Sequence, residues 1–182
     1  MKQALLVIDM QTAWLASPRY DKDGVIARIN QLSQYCRDTG TPVIFVRHID
    51  ADAPKNSQAW EVDSRLHKLT NDTYIDKQAC DSFADTDLLA HLKREGIERL
   101  VICGLATEFC VDTTIRAALS HGFDLLVLAD AHTTGDRPHL DAATIVQHHN
   151  WVWENIATPK DRQITVLSME EFLRSMEKFE FA

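Results

Sequence analysis

Cys110 stands in the run Gly104-Leu105-Ala106-Thr107-Glu108-Phe109-Cys110-Val111, which follows the apolar run Leu100-Val101-Ile102-Cys103. The apolar run reads as a buried strand, the small residues as a turn, and Thr107 as the N-cap of a helix. A thiol at a helix N-terminus meets the positive end of the helix dipole and unpaired backbone N–H groups, and both favour the thiolate. Of the four cysteines, this one has the local sequence of a nucleophile. Two further groups complement it. Asp9 closes the apolar run Ala4-Leu5-Leu6-Val7-Ile8, and Lys77 follows Thr73-Tyr74-Ile75-Asp76. A carboxylate at the end of an apolar strand is partly desolvated and needs a partner, which a lysine supplies. The same ammonium can steady a thiolate. A carboxylate within reach of the thiol can take its proton and pass it to a leaving amine, while N–H groups of the turn receive an oxyanion. Each residue also has a plainer role: Asp9 as a cap, Lys77 as a surface charge, Cys110 as a small core residue. The combination carries the reading.

The elements that must position these groups alternate. Strands are expected at Ala4 to Ile8, Val43 to Val46, Thr73 to Ile75, Leu100 to Cys103, Leu125 to Ala129 and Ile164 to Leu167. Helices are expected at Gly24 to Thr39, Asp85 to Glu95, Thr107 to Ser120, Leu140 to about Asn155 and Met169 to about Lys178, with Ser168 and Glu171 at capping-box spacing. His48 to about Asn71 lacks periodicity and reads as a long functional loop. Strand–helix alternation implies an α/β fold, a mostly parallel sheet with helices on both faces, in a single domain over 1–182. In such sheets ligands bind beyond the carboxyl ends of the strands. That edge would hold Asp9, His48, Lys77, Gly104 with Cys110, and Asp130.

The chain has 182 residues and a net charge of −8, which argues against a nucleic-acid partner and an anionic membrane surface, since both need a basic face. The N-terminal apolar run is too short for a signal peptide and ends in a charge. No apolar stretch is long enough to span a bilayer. The cysteines form no CxxC pair and read as free thiols of a cytoplasmic protein.

The residues resemble the isochorismatase-like cysteine hydrolase superfamily, which includes nicotinamidases, N-carbamoylsarcosine amidohydrolases and isochorismatases. The matching pieces are Leu6-Val7-Ile8-Asp9-Met10-Gln11, Lys77 followed by Ser82-Phe83, the run Gly104 to Val111, and Asp130-Ala131. The resemblance implies a catalytic triad of Asp9, Lys77 and Cys110 and a three-layer αβα fold with a six-stranded Rossmann-like sheet. It implies a cis peptide between Leu105 and Ala106 that aims the Ala106 and Cys110 backbone N–H groups at one oxyanion. It also implies a homo-oligomer, a dimer or tetramer. No cofactor is expected. Family members that cleave a vinyl ether lack the cysteine; amidase members keep it and pass through a thioester.

Nicotinamidases carry a metal site with an Asp-x-His pattern after the second strand. Here that stretch reads Arg47-His48-Ile49-Asp50, in the wrong order, with His67 downstream, so no metal is expected. His48, Trp60 and His67 are instead expected to line the substrate pocket. His132 reads as structural or as a support of the site, and Trp151 and Trp153 as core or oligomer-interface residues. The expected function is cysteine-dependent hydrolysis of an amide or ureido C–N bond in a small molecule. The rival readings are a vinyl-ether hydrolase needing Asp9 but not Cys110, and a binding protein that kept the fold.

Overall fold

Side-chain alternation along the first strand divides the interior in two. In β1 (Gln3–Ile8), Ala4, Leu6 and Ile8 join one apolar cluster and Leu5 and Val7 the other, all fully buried. A strand buried on both faces requires a covering layer on each. The covers are helices in a computed structural model that describes residues 1–180.

The sheet contains β1, β2 (Val43–His48), β3 (Thr73–Lys77), β4 (Arg99–Leu105), β5 (Asp124–Thr133) and β6 (Ile164–Leu167). Their order across it is β3-β2-β1-β4-β5-β6, and every pairing is parallel. The short α1 (Thr12–Ala16), α2 (Lys22–Asp38) and α6 (Met169–Glu180) cover one face through Leu15, Val25, Ile29, Leu32, Met169 and Phe172. The other face is covered by α3 (Leu88–Arg94), α4 (Asp112–Ser120) and α5 (Ala142–Asn155), through Leu88, Leu92, Ile115, Leu119 and Trp153. The expected αβα architecture is therefore present. The capping box forms as well: Ser168 Oγ accepts the Glu171 N–H, and the Glu171 carboxylate accepts the Ser168 N–H at 2.8 Å.

Three features of the elements bear on the site. First, the segment between β2 and β3 is a loop, as expected, with turns and one antiparallel bridge, Gln11 with Val62. Second, β5 does not end at Ala129. It bulges: β4 advances from Ile102 to Gly104 while β5 advances from Val127 to His132, and pairing resumes there. The bulge hides the strand's true end from a reading of periodicity. Asp130 accordingly lies inside the strand, where its carboxylate accepts the Met169 N–H at 2.9 Å and faces Arg28; it does not reach the site. Third, a π-helical turn, Thr107–Val111, precedes α4, so Cys110 sits within that turn rather than at an α-helix start.

The chain runs from β1 outward to β2 and β3, then returns to place β4 on the opposite side of β1. The switch point between β1 and β4 is where a doubly wound sheet opens a crevice. Gly104 makes the two strands close there. At φ +121° it occupies backbone space that disfavours side chains, and a Cβ would lie 2.1 Å from the Ile8 carbonyl oxygen.

Candidate active site

Asp9 is the first residue past β1 and has φ 51°, a left-handed conformation uncommon outside glycine. Its N–H remains anchored to the Val46 carbonyl at 2.9 Å. The turn aims its carboxylate across the end of the sheet, where it is 2% exposed. Lys77 ends β3, the edge strand, and its register partner on β2 is His48. Its side chain runs past β2 so that Nζ lies 2.9 Å from Asp9 Oδ2, 3.0 Å from His48 Nδ1, 3.0 Å from the Ala79 carbonyl and 3.2 Å from Cys110 Sγ. An ammonium has three hydrogens, so four neighbours cannot all accept at once. One contact is always electrostatic only.

The electrostatics follow from burial. Burial raises the Asp9 carboxyl above its ordinary range, and the Lys77 charge works against that rise. Burial opposes the Lys77 ammonium too, but the Asp9 carboxylate and the Cys110 sulfur outweigh it, and its pKa ends raised. For Cys110, burial and then the Asp9 charge push the thiol up, against the pull of Lys77. The expectation of a resting thiolate is thus corrected: desolvation exceeds the help from the turn and the lysine, and the group rests as a thiol. His48 is lowered by burial and by the Lys77 charge, so its ring is neutral. Asp9 Oδ1 is buried and has no hydrogen-bond partner among the described residues.

The peptide Leu105–Ala106 is cis. Beyond it the Ala106 carbonyl accepts from the N–H groups of Phe109 and Val111, the two neighbours of Cys110. Thr107 is not a cap. Its hydroxyl instead meets His132 Nδ1 at 2.8 Å, and His132 Nε2 meets Asn150 Oδ1 at 2.9 Å. Asn150 Nδ2 donates to the Ala129 carbonyl, which leaves its oxygen to accept from His132 Nε2–H. The neutral ring then accepts from Thr107 at Nδ1, and burial lowers its pKa to about 4. His132 thereby holds the first residue of the turn that carries Cys110.

A cavity of about 250 Å³ opens over Asp9 and Cys110, lined also by Trp14, Arg19, His48, Asp50, Leu105, Ala106, Phe109 and Arg137. That size suits a small ligand. Two expected pocket residues are absent from it. Trp60 is 4% exposed and packs under the Arg47 guanidinium, 3.7 Å from its ring centre, tying the long loop to the body. His67 is exposed, with its N–H on Asn30 and its carbonyl on Arg37, so backbone contacts with α2 hold it there.

The same placement tests a metal site. His67 does not join His48 and Asp50, so the nicotinamidase-like ligand set does not assemble. Among the described residues, the group of donors close enough to share an ion is Asp9, His48 and Cys110, whose ligand atoms lie within 4.8 Å of one another. The Lys77 ammonium contacts all three residues, so a tethered cation already fills that role.

Trp14, Arg19 and Arg137 carry no sequence signal singled out above, and Gln11 and Asp50 stand in quoted motifs without a pocket role assigned to them. The buried Gln11 amide uses both donors, on the His48 and Trp60 carbonyls, and accepts the His48 N–H and the Trp14 Nε1–H. It locks the ends of β1 and β2 to the loop. Arg137 was findable: had β5 been read through to Thr133, the strand-end rule would have pointed at the segment that follows it.

Residues 3–170 match the isochorismatase domain family. The isochorismatase family protein YddQ of Bacillus subtilis (strain 168) is 30% identical over 96% of this chain and 100% of its own length. A streptothricin hydrolase of Streptomyces noursei is 34% identical over 75% of this chain and 51% of its own. A crystal structure of an isochorismatase family protein, 36% identical, superposes with a TM-score of 0.83 over 91% of this chain and 98% of that one.

Proposed function

We propose that this chain, which belongs to the isochorismatase family, is a cysteine-dependent hydrolase of a small-molecule amide or ureido C–N bond. One observation carries the reading. A single buried ammonium touches both the Asp9 carboxylate and the Cys110 sulfur at the floor of a small cavity, and the adjacent Cys110 S–H is the donor left to face the second Asp9 oxygen. A thiol so placed can hand its proton to the carboxylate.

Cys110 starts as a thiol. Its S–H proton moves to Asp9 as sulfur attacks the substrate carbonyl, so the thiolate never accumulates in the free protein. The raised Asp9 pKa suits this transfer, because a base works best when its pKa lies close to the working pH. The oxyanion is received by the backbone N–H groups of Ala106 and Cys110. Asp9 then gives its proton to the leaving nitrogen, the C–N bond breaks, and a thioester remains on Cys110. Water attacks that thioester, Asp9 accepts the water proton, the acid leaves, and the proton returns to sulfur. Lys77 keeps its charge throughout and balances whichever of Asp9 and Cys110 is anionic.

The streptothricin hydrolase relative supports a hydrolase in general and leaves the substrate to experiment. The test is a panel of small amides and ureides, followed by intact-mass detection of an acyl adduct on Cys110. Cys110→Ala is expected to lose turnover and the adduct while keeping its fold. Loss of turnover in Asp9→Ala with retention in Cys110→Ala would replace this reading with ether cleavage.

A further inference from the structure

Arg19 is a charge in the cavity wall that forms no ion pair with a carboxylate among the described residues. It is half-buried; its Nε donates to the Trp14 carbonyl at 2.9 Å, and Nη1 lies 3.4 Å from the Pro18 carbonyl. Among the described residues no carboxylate pairs with it. Its neighbour Arg137 is already engaged. Arg137 Nε and Nη2 both lie on Glu108 Oε1, at 2.7 and 2.5 Å; Nη2 also donates to Thr134 Oγ1 at 3.0 Å, and the guanidinium sits over the Phe109 ring. Two cations at this wall therefore share one carboxylate.

The other charges in the cavity are met. Asp9 has Lys77. Asp50 accepts the Asp52 and Ala53 N–H groups and lies 3.8 Å from His48. Arg19 alone combines partial burial with the lack of a counter-ion. Burial and the Arg137 charge both disfavour its cationic form, with Glu108 giving partial relief. Such an arrangement is costly in the empty protein and favourable once an anion arrives.

We propose that Arg19, flanked by Arg137, is the recognition point for a substrate carboxylate, and that the preferred substrates are small amides or ureides with an anionic far end. The proposal rests on the hydrolase reading for the reaction, though not for the binding. A guanidinium presents a planar fork that matches a carboxylate with two parallel hydrogen bonds. The small cavity and the Asp50 carboxylate on its lining favour a singly charged group over a doubly charged phosphate.

The test separates binding from turnover. Calorimetry on Cys110→Ala compares succinamate, an amide with a carboxylate, with succinamide, its neutral counterpart of similar size, and with inorganic phosphate. Succinamate is expected to bind at least about tenfold more tightly than succinamide, as charged hydrogen bonds contribute more than neutral ones. In the Arg19→Gln, Cys110→Ala double variant the preference should fall to about onefold, and Arg19→Lys should keep part of it. Equal binding of the two amides, no binding of either, tighter binding of phosphate, or a preference that survives Arg19→Gln overturns the subsite. If the Arg19-dependent preference holds but the wild-type protein forms no adduct at Cys110 with any amide or ureide, the subsite stands and the hydrolase reading falls. The reverse result leaves the hydrolase and removes the subsite.

Discussion

His132 should make this protein lose stability in mild acid, by an amount that follows from its burial. Its pKa is lowered to about 4 in the fold, against an ordinary value of 6.5. Between those values the unfolded chain binds a proton that the folded protein refuses, so stability rises with pH and is lost as pH falls. The contribution is fully present above about pH 6.5 and is lost progressively down to about pH 4. At 1.36 kcal/mol per unit, that gap corresponds to roughly 3 kcal/mol, most of which is lost by pH 4.5. The physical cause is visible in the contacts. Nδ1 accepts from the Thr107 hydroxyl, and the ring packs edge-on against Trp153 at 5.0 Å between centres. Protonation turns that acceptor into a donor inside the core. Urea unfolding of the wild type and His132→Gln between pH 7.5 and 4.5 reads this directly. The variant should be less stable at pH 7.5, because it loses those contacts, yet its curve should be flatter, and the gap should narrow by about 2–3 kcal/mol at pH 4.5. The His132 ring signal in NMR should titrate near pH 4. Parallel stability curves, or a midpoint near 6.5, would refute the account of a buried neutral imidazole.

Two further outcomes follow from the Asp9–Lys77–Cys110 cluster. Lys77→Met leaves the Asp9 carboxyl buried without a counter-charge and should cost about 3–5 kcal/mol in urea unfolding, with much of that recovered in the double variant Lys77→Met, Asp9→Asn; additive losses would mean the pair is not coupled. Alkylation of Cys110 by iodoacetamide, followed by peptide mass spectrometry, should be slow at neutral pH and still rising at pH 9, since burial and the Asp9 charge push the thiol up; a plateau near neutrality would show that a thiolate is the resting form.

Much of the frame was legible because it depends on local pattern. Short runs of three to five residues, mostly apolar, mark the six strands, and the strand-end rule brings Asp9, Lys77 and Cys110 to one edge from the sequence alone. The errors have physical reasons. A π turn and a five-residue advance in β5 break the periodicities on which such reading depends, so local pattern makes Thr107 a cap and Asp130 a strand end where the fold does not. Position in the long loop points Trp60 and His67 at the pocket, but the direction of a loop side chain is set by what the loop packs against. Arg47 and α2 made that choice.

The sequence by itself determined which chemical groups exist and the order in which the chain presents them: a thiol after one strand, a carboxylate after another, an ammonium after a third. Those facts need only periodicity and chain connectivity. Tertiary structure decided the protonation states, the counter-ions and the cavity wall. Only packing tells how dry a group becomes and which charge faces it, and those two quantities set a pKa. Packing turned an expected thiolate into a thiol awaiting a base, filled a set of metal-like donors with the Lys77 ammonium, and left Arg19 half-buried in the cavity wall with no carboxylate ion pair among the described residues.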